Sequence, residues 1–396
     1  MFQKQINTFF AIAFSLISVF SYSQHEDHSG HNHEKDAHNN VHTENATPEK
    51  HLESKFDAVK MIMHHISDAN EFHIIGNEKT SLNLTMPLPI IVYSKESGLK
   101  MFMSSKFHHG KTAVDGYVLN HGIVNKIKEN FPTGEVAIEN NHGHITFKGK
   151  HFETETKATL AHSSSFYDFS ITKNVFSLFM SVFILLLVFM GMGSFYKKGN
   201  LIPKGFYAWL EPVILFVKND IAIDNIGEKK AEKFLPLLLS VFFFILINNL
   251  IGLIPMFPFS ANVTGNIAFT FVLAFIVLII VNVNGNKDYW GHILWMPGIP
   301  TPMKFIMALI ELIGILTKPF ALMMRLFANI TAGHILILSL VSLIFIFNSM
   351  GMSAVSIPFL IFMNFLELLV AFLQAYIFTL LTALFIGTAV AEHEHH

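Results

Sequence analysis

One arginine inside a very long apolar run constrains this sequence more than any other feature. Arg325 lies in the run from Phe305 to Phe347, which holds only two other formal charges. An arginine cannot release its proton, and holding one at membrane depth costs from about 2.5 to 17 kcal/mol, depending on the reference state. A second run, from Phe359 to Ala391, carries a single formal charge, Glu367. Runs of this length predict helices that cross a membrane, and charges kept inside them need a function.

The composition agrees with a membrane protein that has a polar N-terminal third. Of the 396 residues, 52 % are hydrophobic and 41 are phenylalanines, and the mean hydropathy is +0.45; such values are typical of membrane chains. The net charge of −2 argues against nucleic acid as a partner. Because the sequence has no cysteine, disulfide frameworks and thiolate metal sites are excluded.

Residues 1–23 have the pattern of a secretory signal peptide. Lys4 precedes an apolar stretch from Thr8 to Phe20, and Ser21-Tyr22-Ser23 resembles a cleavage site. A short membrane anchor is the alternative, although the stretch is shorter than the about 20 residues that a span needs. Both interpretations predict that the following segment is exported.

The exported part is predicted to hold a disordered segment and a small folded domain. Residues 24–55 have few apolar side chains to bury, which predicts disorder. Their histidines could also bind metal or buffer protons, and the candidate metal ligands are His25, His28, His31 and His33. Residues 56–170 contain short alternating runs between Gly- and Asn-containing turns, so we predict a mainly β domain. These runs are Ser81–Met86, Glu135–Ile138 and His144–Phe147.

Residues 171–396 are predicted to form an all-α polytopic membrane domain with five membrane segments. The segments are residues 175–195, 235–254, 266–284, 304–347 and 356–391. Between the first two, Lys204–Lys233 has the pattern of an amphipathic helix that lies along the membrane surface. The last two segments are long: a helix over 304–347 would reach about 65 Å, about twice the hydrocarbon core. We expect it to tilt steeply or to break near Gly314 or Pro319.

Basic residues in the connections predict the orientation in the membrane. The connection over 196–233 carries seven lysines, and the connection over 285–304 carries Lys287 and Lys304. The connections over 255–265 and 348–355 have neither lysine nor arginine, so we expect them on the outer side. The prediction is a multi-pass protein of a bacterial inner (plasma) membrane, with a periplasmic N-terminal domain and a cytoplasmic C-terminus.

Helical periodicity sorts the polar residues of the long segments. Glu311, Lys318 and Arg325 recur every seven residues, so they lie along one stripe that Asn329 shares. His334 follows Arg325 by nine residues, about half a turn in phase, and should have different surroundings. We infer that Arg325 faces a partner.

The last segment offers a second polar face. Glu367 and Gln374 are seven residues apart and lie on the same side of the helix. We infer that Glu367 and His334 face a water-accessible pocket and belong to a proton path. Two alternatives remain open: Glu367 could form a buried ion pair with Arg325, and His334 could be a packing histidine.

Other polar residues allow both a structural and a functional interpretation. Glu311 and Lys318 could form a local ion pair inside the membrane or take part in transport. Four asparagines could line an aqueous vestibule or act as helix contacts and caps. They are Asn248, Asn249, Asn262 and Asn266.

Several motifs together resemble subunit a of the F-type ATP synthases. They are Ile226–Pro236, Asn248–Pro255, Lys318-Pro319, Arg325–Asn329 and Phe372–Phe378. The resemblance covers about residues 170–392 and none of residues 24–165. It implies a proton-translocating stator subunit whose two half-channels load and unload the c-ring carboxylates, which drives rotation coupled to ATP synthesis.

The resemblance also implies roles for individual residues. Arg325 would face the rotating c ring, and the family's asparagine and glutamine fall on Asn329 and Gln374. Many members have an acid nine residues after the arginine and a histidine seven residues before the glutamine. This chain has His334 and Glu367 at those positions, so the pair is reversed and one acid and one histidine are kept.

The implied partners are the c-subunit ring, the peripheral-stalk b subunits, the catalytic head reached through the stalks, and the lipid membrane. The chain is expected to be non-catalytic and without a cofactor, since it has no phosphate-cradling glycine-lysine loop. A metal-ion permease and a passive membrane anchor are the rival interpretations. A permease would need convergent histidine or carboxylate ligands inside the spans, which offer no second histidine beside His334, and an anchor leaves Arg325 unexplained.

Overall fold

The computed structural model of this chain describes residues 67–75, 84–120, 122–141, 144–158, 163–197, 205–253, 261–296, 300–347 and 350–391. The predicted signal peptide and the histidine-rich segment with its candidate metal ligands lie outside these residues. Both therefore stay predictions.

The N-terminal part is built from short antiparallel strands, which confirms the prediction of a mainly β region ahead of the helices. Its strands are β1 Glu71–Ile75, β2 Leu84–Pro87, β3 Pro89–Ser94, β4 Gly98–Met103, β5 Thr112–Val114, β6 Tyr117–Asn120, β7 Ile123–Ile127, β8 Glu135–Ala137, β9 Glu139–Asn141, β10 His144–Phe147, β11 Lys150–Phe152, β12 Thr154–Glu155 and β13 Phe166–Asp168. They form sheets ordered β1-β2, β13-β3-β4, β12-β7-β6-β5-β8 and β11-β10-β9. A 3₁₀ helix, Ser104–Gly110, joins β4 to β5.

Alternating side chains create the core of this β domain. Ile90 and Val92 of β3 point inward, and Ile90 is paired with Phe102 of β4. Tyr117 and Phe166 fill the space between the sheets, with ring centroids 5.6 Å apart in an edge-to-face contact. The packing joins β13, the last strand, to β3 in the middle of the domain.

The C-terminal part is helical. Its helices are α1 Lys173–Lys197, α2 Phe206–Phe216, α3 Glu228–Leu253, α4 Ile267–Val283, α5 Lys287–Leu294, α6 Thr301–Phe347 and α7 Met350–Val390. Four of them, α1, α3, α6 and α7, are long and apolar enough to cross a membrane, and α4 with α5, bent by 103°, can be counted as a fifth. The helical core and the range of four to five candidate spans agree with the predicted class.

The long helix α6 is continuous through Gly314 and Pro319. We expected the excess length of α6 to be accommodated by a steep tilt or by a break near Gly314 or Pro319. The helix does not break at these residues. Pro319 is tolerated in the helix although it lacks a backbone N–H donor.

The segment after α2 differs from the predicted surface helix at its C-terminal end. A π-helical turn, Val217–Ile223, and the short helix Asp224–Ile226 continue α2, and their apolar side chains pack into the helical core. Gly227, with φ of +87°, then ends this helix, and Glu228 begins α3. The predicted surface helix, which ran to Lys233, was therefore too long. Gly227 ends the helix because glycine adopts such a positive φ easily and other residues do not.

Helix α3 is the centre of the helical part, whereas α6 is at its margin. In an apolar window of each helix, 72 % is buried in α3 and 11 % in α6. Helix α3 packs against α1 and α7, and α6 lies between α4 and α7. The last turn of α7 is held by Lys230, whose Nζ donates to the carbonyl of Val390 at 2.7 Å.

Candidate functional site

The charged stripe of α6 lies on the open flank of the molecule. Lys318, Arg325 and Asn329 are exposed, and Glu311 is half-buried. No ion pair within the described parts of the chain involves Glu311, Lys318 or Arg325. Large apolar side chains such as Leu316 surround the stripe and are also exposed. The flank thus combines a permanent cation with an apolar surface, as a partner-binding face would.

Lys318 lies in a cleft between four helices. Its Nζ is 5.6 Å from the centre of the Phe385 ring on α7, a distance typical of a cation–π contact. Asn282, Tyr289 and Thr388 add polar atoms to the cleft. Glu311 is near enough to Tyr289 for its charge to act on the phenol group. The alternative of a direct Glu311–Lys318 ion pair is wrong for this structure, since the lysine faces the ring of Phe385 instead.

His334 faces the interior of the helical part. A Cβ added to Gly252 of α3 would lie 3.9 Å from Cε1 of His334 and 3.7 Å from the carbonyl oxygen of Ala261. The backbone of Gly252 and of Ile330 offers hydrogen-bond partners to the ring. Arg325 and His334 therefore have different surroundings, as the helical phase predicts.

Glu367 approaches α6 at the residue before His334. A Cβ added to Gly333 would overlap Oε1 of Glu367 and lie 3.0 Å from its carboxyl carbon. Only glycine leaves this space, so Gly333 lets the carboxyl group of α7 approach α6 at the residue that precedes His334. Oε1 of Glu367 is buried and has no hydrogen-bond partner among the described residues.

The alternative of a locking ion pair between Arg325 and Glu367 is wrong. The ion pairs within the described ranges include neither residue. Arg325 is exposed on the flank, while Glu367 lies against Gly333. Gln374, seven residues after Glu367, is buried in α7.

The four asparagines act mainly as contacts and caps. Asn266 accepts from the backbone N–H of Ala268 at 2.9 Å and caps α4. Asn262 accepts from Gly265 in the preceding turn, at 2.9 Å. Their amide groups nevertheless leave buried atoms without partners within the described segments: Oδ1 of Asn248, Oδ1 of Asn249 and Nδ2 of Asn262. Such buried polar atoms are what an aqueous vestibule would hydrate.

Sequence reasoning missed Gly333 and the cleft at Lys318. The signal for Gly333 was its position directly before His334, since a glycine there permits a side chain of the next helix to approach closely. The cleft at Lys318 had no local signal, because its lining comes from four helices that are far apart in the sequence.

Comparison with known proteins gives two separate matches. Residues 175–387 match a family described as ATP synthase A chain. Residues 61–169 match a family described as a domain of unknown function (DUF8433). The boundary between the matches lies at the start of α1, where the β domain gives way to the helices.

Similar proteins with curated names agree with the first match. "ATP synthase subunit a" of Chloroherpeton thalassium is 46 % identical over 234 residues, which are 58 % of this chain and 69 % of that protein. "ATP synthase subunit a" of Anaeromyxobacter sp. (strain Fw109-5) is 44 % identical, over 58 % of this chain and 56 % of its own length. "ATP synthase subunit a 2" of Chlorobaculum tepidum is 47 % identical, over 58 % of this chain and 66 % of its own length. The chain therefore belongs to the family of ATP synthase subunit a, the non-catalytic, proton-translocating membrane subunit of F-type ATP synthases.

Proposed function

We propose that this chain conducts protons through two half-channels that are offset along α6, with Arg325 as the barrier between them. The observation that supports this most directly is the exposure of Arg325 on an apolar flank without an ion pair in the described parts of the chain. A permanent charge is kept in such a place only if something outside the chain interacts with it.

The outer half-channel ends at His334 and Glu367. Gly333, the residue before His334, lets the carboxyl group of Glu367 on α7 approach α6. A carboxylic acid and an imidazole can each accept and release a proton, so their order along the path is not critical for conduction. Asn329 and Gln374 are proposed to orient the groups through which the proton passes.

The inner half-channel begins at the cleft around Lys318. Asn282, Tyr289 and Thr388 offer hydrogen-bonding groups there, and Glu311 supplies a carboxylate near Tyr289. Lys318 and His334 are about 24 Å apart along the axis of α6, on either side of Arg325. Neither half-channel therefore needs to cross the whole membrane.

The partner of Arg325 is proposed to be the ring of c subunits. The guanidinium group would hold a ring carboxylate ionised as it passes, and it would stop protons from leaking directly between the half-channels. The exposed apolar side chains of α6 and α7 fit a ring of lipid-embedded helices. Each proton that moves inward gains about 2.3 kcal/mol per 100 mV of membrane potential, so several must move for each ATP. The stalk b subunits and the catalytic head would hold the chain stationary.

We propose a topology of five spans, with the β domain outside and the C-terminus in the cytoplasm. Residues 56–170 are then a periplasmic domain, residues 171–396 the membrane domain, and α2 a helix at the inner surface, where its exposed Trp209 suits the membrane interface. Cysteines replacing two exposed lysines test this topology in the cysteine-free chain. We expect Lys95→Cys to react with impermeant thiol reagents only from outside and Lys287→Cys only from the cytoplasm. Labelling of Lys287→Cys from outside would overturn the topology.

Replacing the arginine tests the mechanism. Arg325→Ala should abolish ATP-driven proton pumping in membrane vesicles while the complex still assembles, because the barrier charge is lost and helix packing is nearly kept. Arg325→Lys should also be severely impaired, since lysine lacks the planar guanidinium group. Lys304→Ala is the matched control and should pump normally. It removes another cation of α6, the Lys304 ammonium group, whose Nζ lies 4.6 Å from the centre of the Trp295 ring. Normal coupled pumping by Arg325→Ala would refute the proposal.

A further inference from the structure

Buried polar atoms without a protein partner are concentrated in one zone of this molecule. Within the described ranges, ten buried side-chain atoms make no hydrogen bond, and all but Oδ1 of Asn125 belong to residues just before β1, on α1, on α3, just before α4 or on α7. They belong to Asp68, Asn70, Asn174, Ser177, Asn248, Asn249, Asn262 and Glu367. Proteins satisfy nearly all buried polar groups with protein atoms or ordered water. A zone that offers so many groups together is suited to a chain of water molecules.

The β domain reaches this zone through the residues that precede β1. Oδ1 of Asp68 accepts from the backbone N–H of Asn174 at 3.1 Å, in the first turn of α1. Phe72 packs edge-on against Phe176, with ring centroids 5.6 Å apart. Asp68 is half-buried as a residue, but its Oδ2 is fully buried and unpaired within the described residues. Asn70 is completely buried beside it.

Helix α1 continues the zone toward the membrane. Asn174 and Ser177 are three residues apart and share a face of the helix. Both are buried, and each has an oxygen without a partner in the described part of the chain. Lys173, in the same turn, is close enough for its charge to act on His334. The charge of Lys173 thus reaches the surroundings of His334, and α1 packs against α3, which carries Gly252.

Helix α3 completes the connection to the carboxyl group of α7. Gly252 lies against His334, and Asn248 and Asn249 are one turn before it. Nδ2 of Asn249 donates to the carbonyl of Ala371 at 3.2 Å. Ala371 follows Glu367 by one helical turn. Buried polar atoms without a partner among the described residues are thus present in the β domain, on α1, on α3 and on α7.

A carboxyl group lies at each end of the zone. The unpaired polar groups between them are neutral amides and a hydroxyl. At the outer end, burial raises the pKa of Asp68 above its usual range, opposed by a hydrogen bond from Thr172 and by the charge of Lys173. The shift favours a carboxyl group that can hold a proton. The neutral groups between can donate and accept hydrogen bonds, which suits them to order water.

We propose that the β domain forms the outer mouth of the proton inlet. Asp68 and Asn70 open a water-filled passage that runs past Asn174 and Ser177. It ends at Glu367, so the inference rests on the proposed outer half-channel and gives the domain of unknown function a direct part in conduction.

Two serines of α1 provide a matched test of water in the passage. Ser177 and Ser181 are both fully buried, one turn apart. The hydroxyl of Ser181 donates to the carbonyl of Leu178 at 2.8 Å, whereas that of Ser177 has no partner within the described residues. In the assembled complex, silver nitrate should protect the Ser177→Cys thiol from later alkylation about ten times faster than the Ser181→Cys thiol, because only a hydrated thiol meets the ion. Equal rates would overturn the passage.

Two asparagines of the β domain test conduction. Asn70 and Asn125 are both buried with an unpaired oxygen among the described residues, but only Asn70 lies in the zone. We expect Asn70→Leu to lower the proton flux through the assembled complex by about threefold or more, and Asn125→Leu to leave it nearly unchanged. Normal flux in an assembled Asn70→Leu complex would overturn the proposal.

The silver test also separates this inference from the proposed function. Protection of the thiol is measured by mass spectrometry and needs no pumping. If Arg325→Ala pumped normally but Ser177→Cys were selectively protected, the barrier mechanism would fail and the hydrated mouth would stand. If Arg325→Ala were inactive but both thiols were equally slow, the mouth would fail and the barrier would stand.

Discussion

The β domain and the membrane helices differ in whether their charged side chains form ion pairs. Charged side chains of the β domain pair with one another, for example Lys100 with Asp115 at 3.0 Å and the buried pair Lys157 and Asp168 at 3.8 Å. The β domain thus pairs charges within itself, whereas Arg325 and Glu367 have no ion pair among the described residues, although an unpaired charge is far more costly in a membrane span.

The difference teaches what each set of charges does. Ion pairs within one domain hold its own strands together and contribute modestly to stability. A charge kept in a span without a partner in the same chain must be compensated by water, by a proton or by another subunit. Changes in the spans should therefore alter proton flux with the fold intact, and changes in the β-domain pairs should alter stability with flux intact.

The largest effect is expected from the titratable pair of the proposed outer half-channel. Glu367→Gln and His334→Ala should each lower ATP-driven proton flux by about a hundredfold with assembly intact, because each removes a proton-accepting group from the path. The double variant should lose less than the product of the single losses if the two groups act in one relay. Strictly multiplicative losses, measured by fluorescence quenching in vesicles, would show that the two residues act independently.

A smaller effect is expected from the glycine that admits Glu367. Gly333→Ala should lower flux by about tenfold, because the added Cβ would displace the carboxyl group of Glu367. Glu367→Asp in the same chain should recover part of the loss, since the shorter side chain gives room. Gly314→Ala is the control: its Cβ would meet only Oε2 of Glu311, at 4.0 Å, an ordinary contact. Equal flux in the two alanine variants would show that the close approach at Gly333 is unimportant.

The buried pair of the β domain should affect stability and leave flux nearly unchanged. The side chains of Lys157 and Asp168 are 5 % and 2 % exposed. Asp168→Asn therefore removes an ion-pair partner of Lys157, whose charge remains buried. We expect the free energy of unfolding of the domain to fall by about 3 kcal/mol. Faster proteolysis of the domain from the outer side, at constant pumping, would report this. A loss of pumping as large as that of Glu367→Gln would break the distinction between the two domains.

The smallest effect is expected from an exposed pair. Lys126 and Glu96 are 2.8 Å apart, and the side chain of Glu96 is 79 % exposed. Because water screens such a pair, Glu96→Gln should change the free energy of unfolding by less than about 1 kcal/mol. Proteolysis and pumping should both match the unchanged chain. A destabilisation as large as that of Asp168→Asn would mean that exposure does not decide the strength of these pairs.

The sequence by itself determined the kind of protein and its principal residue. Hydrophobic runs of this length have no stable place except in a membrane, and a charge within them is too costly to be incidental. Helical phase alone predicted that Arg325 and His334 have different surroundings, because neighbours along a helix are set by local geometry. The alternation of apolar and polar residues predicted strands in the β domain for the same reason, at the three runs named above.

Only the tertiary structure decided which of these groups meet. The approach of Glu367 to Gly333 joins two helices, and the contact of Asp68 with Asn174 joins residues 106 positions apart. Such contacts depend on how whole elements pack, and no local pattern of residue types encodes them. The end of the surface helix at Gly227 and the lining of the cleft at Lys318 belong to the same class. Periodicity fixes which face a residue lies on, whereas packing fixes what that face touches.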